Sequence, residues 1–156
     1  MKQRSCSKAT AACWGWDVTA VDFSQVAIDR GRALAAAAGV DLEWELADLL
    51  EWSPGARQFD LVTLFFIHLP PEERRDVYAR AAAAVAPGGT LLIVGHDRTN
   101  LADGVGGPQN PDVLITPGEV AADLPGFRID RAETVQRGGA IGGGPIDAIV
   151  RAQRRG

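Results

Sequence analysis

The densest apolar run in the chain is FDLVTLFFIHL, residues 59–69, which leaves no positions for a solvent face. A run of this kind suits a strand covered on both sides, as the inner strands of parallel sheets are. TLLIVGHD at 90–97 has the same character, and so does the shorter DVTAVDF at 17–23, rich in β-branched and apolar residues. VDLEWELAD at 40–48 alternates briefly and ends on an acid. FRIDRAETVQR and PIDAIVRAQ read as two closing strands. The glycine-rich GGAIGGG between them makes a hairpin-like joint, so that pair is expected to be antiparallel.

Helical patterns fill the gaps between strands. SQVAIDRGRALAAAAG is alanine-rich, with Ser24 able to cap its start and Gly39 suited to its end. In PPEERRDVYARAAAAVAPGG, residues 70–89, Pro71 suits the first turn, and Glu72 and Glu73 favour the positive end of the helix dipole. Gly88-Gly89 is expected to close that helix. ITPGEVAADLPG at 115–126 reads as a short helix opened by Thr116 and Pro117. WSPGARQ is a turn, and RTNLADGVGGPQNPDVL is a long polar loop. There is no internal repeat. The order β-α-β-turn-β-α-β-loop-α-β-β predicts an α/β, Rossmann-like fold: a mainly parallel sheet, helices on both faces and an antiparallel last strand.

The bulk numbers narrow the functional classes. The 156 residues suffice for one domain with a real core. A net charge of -4 argues against broad neutralisation of nucleic-acid phosphates, and the terminal RAQRRG reads as a solvated tail. Cys6 and Cys13 would share a helix face, but without a neighbouring histidine they make no zinc site and read as reduced thiols. No apolar run is long enough to span a bilayer, and the N-terminus lacks the apolar stretch of a secretory signal. A cytoplasmic location, no bound metal, and neither nucleic-acid nor membrane partners are expected.

The candidate chemistry sits at strand ends, where ligands of open α/β sheets bind. Asp22 follows the first predicted strand and could accept both hydroxyls of a ribose. Taken alone, it is as well explained as a helix cap. Asp48 stands in the matching place after the next strand. It would pass for a turn-forming aspartate were it not the second acid at a second strand tip, where it could bind the amino group of adenine while the backbone N–H of Leu49 faces the ring. His68 ends the central strand and could serve as a base, since histidine titrates near neutrality; a histidine bonded to backbone is the commoner case. His96-Asp97 could orient a substrate or simply start the loop. PGG at 87–89 reads as structural. GVGGP and GGAIGGG do not lie between a strand and a helix and are rejected as phosphate cradles.

Taken in order, GWDVTAVDFS, LEWELADLLEW, FDLVTLFFIHLPPEERRDVYARAAAAVAPGGTLLIVGHD and the antiparallel ending resemble the class I S-adenosylmethionine-dependent methyltransferases, especially small bacterial tellurite-resistance-like members. The resemblance covers about nine tenths of the chain. It implies S-adenosylmethionine as cofactor, with Asp22 on its ribose beside Phe23, and Asp48 and Leu49 at its adenine. It also implies a methyl-transfer site lined by Phe65, Phe66 and His68, with His68 as the catalytic candidate. HLPP lies where amino-directed DNA methyltransferases carry an acid or amide before two prolines, so DNA methylation is not inferred.

One departure stands out. The family's first strand and its glycine-rich loop should precede Asp22 by roughly the spacing seen in dinucleotide-binding folds. Counting back reaches Met1 to Ser5, where there is no glycine. KATAACWGWDV reads as the end of the following helix joined directly to the second strand. The expectation is therefore a single domain, residues 1–156, truncated at its N-terminus, with its first strand missing and an exposed sheet edge through which it could self-associate. Two alternatives stay open: a non-catalytic methyltransferase remnant, and an NAD-dependent oxidoreductase.

Overall fold

A computed structural model describes residues 15–138 and 143–156. The chain divides into two compact units, Met1–Trp52 and Ser53–Gly156. Cys6, Cys13 and the segment expected to lack the first strand lie outside the described residues.

In the N-terminal unit, β1 (Thr19–Asp22) leads through helix α1 (Gln25–Ala38) to β2 (Glu43–Leu46). The helix begins where the sequence says it should: Ser24 Oγ accepts the N–H of Ala27. It ends at Gly39, whose φ of 69° is a left-handed conformation that glycine adopts without a Cβ penalty. β1 and β2 pair in parallel, from Thr19 opposite Glu43 to Asp22 opposite Leu46. Both strands are shorter than their apolar patterns suggest, and an aspartate turns the backbone at the end of each, Asp22 as the last residue of β1 and Asp48 two residues past β2. Ala20, Ala35 and Leu42 form the core, with Val18, Val40 and Trp44 packed against it. Trp44 packs against α1 at Gly31, where a Cβ would meet two of its ring carbons at 2.5 Å.

The C-terminal unit is built on a four-stranded sheet in the order β3-β4-β6-β5. β3 (Phe59–Phe65) and β4 (Val85–His96) are parallel, while β6 (Ile146–Arg154) runs antiparallel to both β4 and β5 (Phe127–Gln136). The antiparallel ending is thus the one expected. Helix α2 (Pro71–Ala84) joins β3 to β4, with proline at its first turn followed by Glu72 and Glu73. It closes earlier than Gly88-Gly89: Val85 is already extended, and Pro87-Gly88-Gly89 form an irregularity inside β4. There the register jumps from Phe59 opposite Val85 to Leu61 opposite Thr90. Gly89 is required by close approach, since a Cβ would stand 2.9 Å from the Ala86 carbonyl oxygen and 3.1 Å from that of Asp60.

After β4 the polar loop contains one short helical turn, α3 (Asn100–Asp103), and a 3-10 turn at Pro111–Val113. Helix α4 (Pro117–Ala122) opens with a reciprocal capping box between Thr116 and Glu119. Leu91, Ile93, Ala148, Val150 and Ala152 from the sheet are buried, as are Val77, Tyr78, Ala81 and Ala84 from α2 and Leu114 and Val120 nearer the C-terminus. Among the described residues, no helix is long and apolar enough to cross a membrane.

Candidate functional site

Parallel pairing brings the two acids of the N-terminal unit to the same end of one small sheet. Asp22 is the last residue of β1, and Asp48 follows β2 by two residues. Each is held by a turn of its own making. Oδ1 of Asp22 accepts the N–H of Ser24 at 3.0 Å, and Oδ1 of Asp48 accepts the N–H of Leu50 at 2.9 Å. Asp48 has the turn-forming role weighed for it in the sequence, whereas the helix cap weighed for Asp22 is Ser24 instead; in both cases the bond fixes the carboxylate at its strand tip. Phe23, beside Asp22, is 76% exposed. Asp48 is exposed as well, and Leu49 is half-buried. The unit therefore presents two carboxylates and an exposed aromatic ring, groups able to accept hydroxyl and amino donors and to cover a flat apolar ring.

The C-terminal unit holds a second constellation. Phe65 ends β3 and is partly exposed. The chain then reverses at Phe66, whose φ of 55° is the left-handed conformation that costs a bulky residue strain. Its N–H bonds the Val94 carbonyl at 2.8 Å, so the reversal is held by the β4 ladder. The turn delivers His68 onto His96, the last residue of β4. Their rings stack with centroids 5.5 Å apart and planes 3° from parallel. The Phe66 ring lies 5.0 Å from that of His96, and the Arg137 guanidinium sits 5.4 Å from the centre of Phe66. Partial burial, and then the neighbouring His96, hold His68 below the usual histidine range, so its imidazole is neutral and able to accept a proton at neutral pH.

Behind the stack lies Asp147, opposite His96 in the β4–β6 register and 4% exposed in its side chain. Its Oδ1 is 3.2 Å from Nδ1 of His96, and its Oδ2 is 2.6 Å from Nε of Arg137. Nδ1 of His96 is buried and makes no directed hydrogen bond, so the contact with Asp147 is an electrostatic one at close range. Gly107 covers the other edge of the His96 ring; a Cβ there would stand 3.0 Å from Nε2.

Asp97 has a different task. Its carboxylate accepts the N–H and hydroxyl of Thr99 at 2.9 and 2.7 Å and the hydroxyl of Thr134 at 3.0 Å, which ties the end of β4 to β5. Asn100, also buried, accepts the Ile146 N–H and donates to the Gly106 carbonyl, bracing the loop that carries Gly107. Of the pair His96-Asp97, then, the histidine joins the constellation and the aspartate starts the loop.

Asp22, Phe23, Asp48 and Leu49 thus belong to one unit, and Phe65 and His68 to the other. Sequence reasoning missed Arg137, Asp147 and Gly107. The available signal was Asp147 itself, a carboxylate inside the otherwise apolar strand PIDAIV. Among the described residues, no group of three or more histidine, cysteine or acidic side chains is placed to hold a metal ion.

Comparison with known proteins agrees with this architecture. A family profile described as a methyltransferase domain matches residues 5–89, more than half of the chain. No curated protein sequence matches. Among solved structures, TehB from Haemophilus influenzae superposes with a TM-score of 0.73 at 14% identity, covering 92% of this chain and 52% of that one. The N-methyltransferase NodS from Bradyrhizobium japonicum WM9, in complex with S-adenosyl-L-homocysteine, gives 0.67 at 18% identity, covering 88% and 66%. Magnesium protoporphyrin IX methyltransferase from Synechocystis PCC 6803, with the same ligand bound, gives 0.70 at 17%, covering 94% and 68%. The chain thus spans about half the length of TehB and about two thirds of the other two. At these identities the likeness speaks to the fold, which is Rossmann-like.

Proposed function

The chain belongs to the methyltransferase-domain family, and from that membership we propose that it binds S-adenosylmethionine and directs methyl transfer to a small-molecule acceptor. The observation that carries this reading is the parallel pairing of β1 with β2, which sets Asp22 and Asp48 at one end of the pair. Two carboxylates there match the donors of an adenosine: Asp22 would accept the ribose hydroxyls, and Asp48 the adenine amino group. Phe23 and Leu49 would border the nucleoside, and the backbone N–H of Leu49 would meet the ring.

When bound, the cofactor supplies an electrophilic methyl carbon whose bonding pair stays on sulfur. The protein's share is alignment and proton management. Phe65 would line the methyl-transfer site. His68, neutral at working pH, would take the proton that the acceptor sheds as its lone pair forms the new bond.

Calorimetric titration of the full chain with S-adenosyl-L-homocysteine, paired with a melting curve, tests the reading. Micromolar binding is expected, with stabilisation of about 2.7 kcal/mol at a hundredfold excess over Kd. Asp22→Ala should weaken it at least tenfold. A cooperatively folded chain that gives neither heat nor a melting shift would refute the proposal. Binding of NADH in its place would redirect it to an oxidoreductase.

A further inference from the structure

The two histidines of the C-terminal unit are the only two in the chain, and they stack face to face. Parallel imidazoles at this distance cannot share a proton through a hydrogen bond, but they repel one another if both are charged. The surroundings treat them unequally. His96 has a buried carboxylate 3.2 Å from its Nδ1, while His68 is exposed and faces no acid among the described residues of this unit. Arg137 grips both oxygens of Asp147, Oδ2 from Nε at 2.6 Å and Oδ1 from a terminal guanidinium N–H at 3.4 Å, and so holds the carboxylate in place beside the ring. Gly107 packs along the opposite edge of His96, and the Phe66 ring closes a third side. The groups facing the pair are therefore Asp147 from β6, Arg137 just past β5 and acting through Asp147, and the uncharged Gly107 and Phe66.

We infer that Asp147 and His96 are positioning residues for His68: Asp147 holds the His96 ring in place, and the stack on that ring leaves His68 as the exposed imidazole that takes the proton of the methyl acceptor. The inference rests on the methyl-transfer reading only for the identity of that acceptor. It also narrows the acceptor class. An anionic nucleophile such as a thiolate gains nothing from a base, whereas a hydroxyl, a protonated amine or a ring N–H does. The proton passes from that group to an imidazole nitrogen of His68 as the heteroatom lone pair forms the bond to carbon, and solvent removes it afterwards.

The test is an NMR pH titration of the full chain labelled in its histidine rings, without cofactor or acceptor, with His68→Phe assigning the two signals. The His68 midpoint is expected below the usual histidine range. His96→Phe keeps an aromatic ring under His68 but removes the second imidazole, and should move the His68 midpoint upward. Asp147→Asn should move it the same way. If Asp147→Asn does not fold, because it also unpairs Arg137, His96→Phe decides alone. A His68 midpoint at or above the usual histidine range, or one unmoved by His96→Phe, overturns the inference. If S-adenosyl-L-homocysteine fails to bind while His96→Phe still moves the His68 midpoint, the methyl-transfer reading has failed and the pairing has not. In a chain that does bind, His68→Asn should lower kcat about a hundredfold for a hydroxyl acceptor.

Discussion

Replacing Gly31 with alanine sets two effects of opposite sign against each other. Gly31 lies in the interior of α1, where glycine is about 1 kcal/mol worse than alanine. In a helix free of neighbours the change would therefore stabilise. Here the new methyl would lie 2.5 Å from two ring carbons of Trp44, well inside the roughly 3.5–4.0 Å at which carbon atoms attract. The indole must retreat by about an ångström, and it cannot bend. It is packed against Ala20, Ala35 and Leu42, so the retreat disturbs the core of the N-terminal unit. Overpacking of this kind costs about 1–3 kcal/mol. The net expectation is a loss of up to about 2 kcal/mol, with the half-buried Trp44 absorbing part of the strain. Removing the ring should reverse the sign: in a Trp44→Leu background, Gly31→Ala should stabilise by up to about 1 kcal/mol. All four tryptophans, at 14, 16, 44 and 52, fall within the N-terminal unit, so urea unfolding followed by tryptophan fluorescence reports on it selectively. A gain in stability from Gly31→Ala alone, or the same effect in both backgrounds, would refute the steric account.

Three further outcomes follow from the C-terminal unit. Burial pushes the Tyr78 hydroxyl up to about 12, so between about 10 and 12 the unfolded chain loses this proton while the folded chain keeps it; stability should fall over that window, by about 2–3 kcal/mol in all. Tyr78 is the chain's one tyrosine, so its phenolate absorbance can be followed directly, and a midpoint near 10 in the folded protein would contradict the prediction. Asp97→Ala strips three donors of their acceptor and should cost about 2–4 kcal/mol by thermal unfolding followed by circular dichroism. Asp97→Asn should cost less, because the Thr134 hydroxyl can turn from donor to acceptor; equal losses would argue against this network. Thr116→Ala removes one half of the α4 capping box and should lower stability by about 1 kcal/mol, whereas no change in the melting temperature would mean that the cap is dispensable.

The features legible in the chain are those whose causes are local. Ser24, Gly39 and Thr116 mark helix ends because a cap needs only a few residues and the right side chain or φ. Apolar runs such as TLLIVG name their strands because inner strands have no wet face, and β4 lies between β3 and β6; β3, expected to be covered on both sides, instead stands at the edge of the four-stranded sheet with Asp60, Thr63 and Phe65 exposed. Asp22 and Asp48 could be picked out because a strand followed by an acid is a sequence pattern. The misreading of Pro87-Gly88-Gly89 shows where this logic ends. Those residues look like a helix stop, but α2 closes before them, and they bulge β4 against the backbone of β3, a partner that local sequence does not reveal.

By itself, then, the sequence determined the alternation of strands and helices, the antiparallel close and the placing of the two acids at strand tips; His68, expected to end the strand, instead lies three residues past β3, which stops at Phe65. Its periods and caps act over a few residues, and those features need no more. Only the tertiary structure decided that His68 stacks on His96, that Asp147 and Arg137 stand behind the pair, that Asp97 serves the loop instead, and that Gly31 makes room for an indole. These are contacts between residues far apart in the chain. They depend on the β4–β6 register and on which side chain packs against which helix, and a one-residue slip would turn His96 and Asp147 to opposite faces.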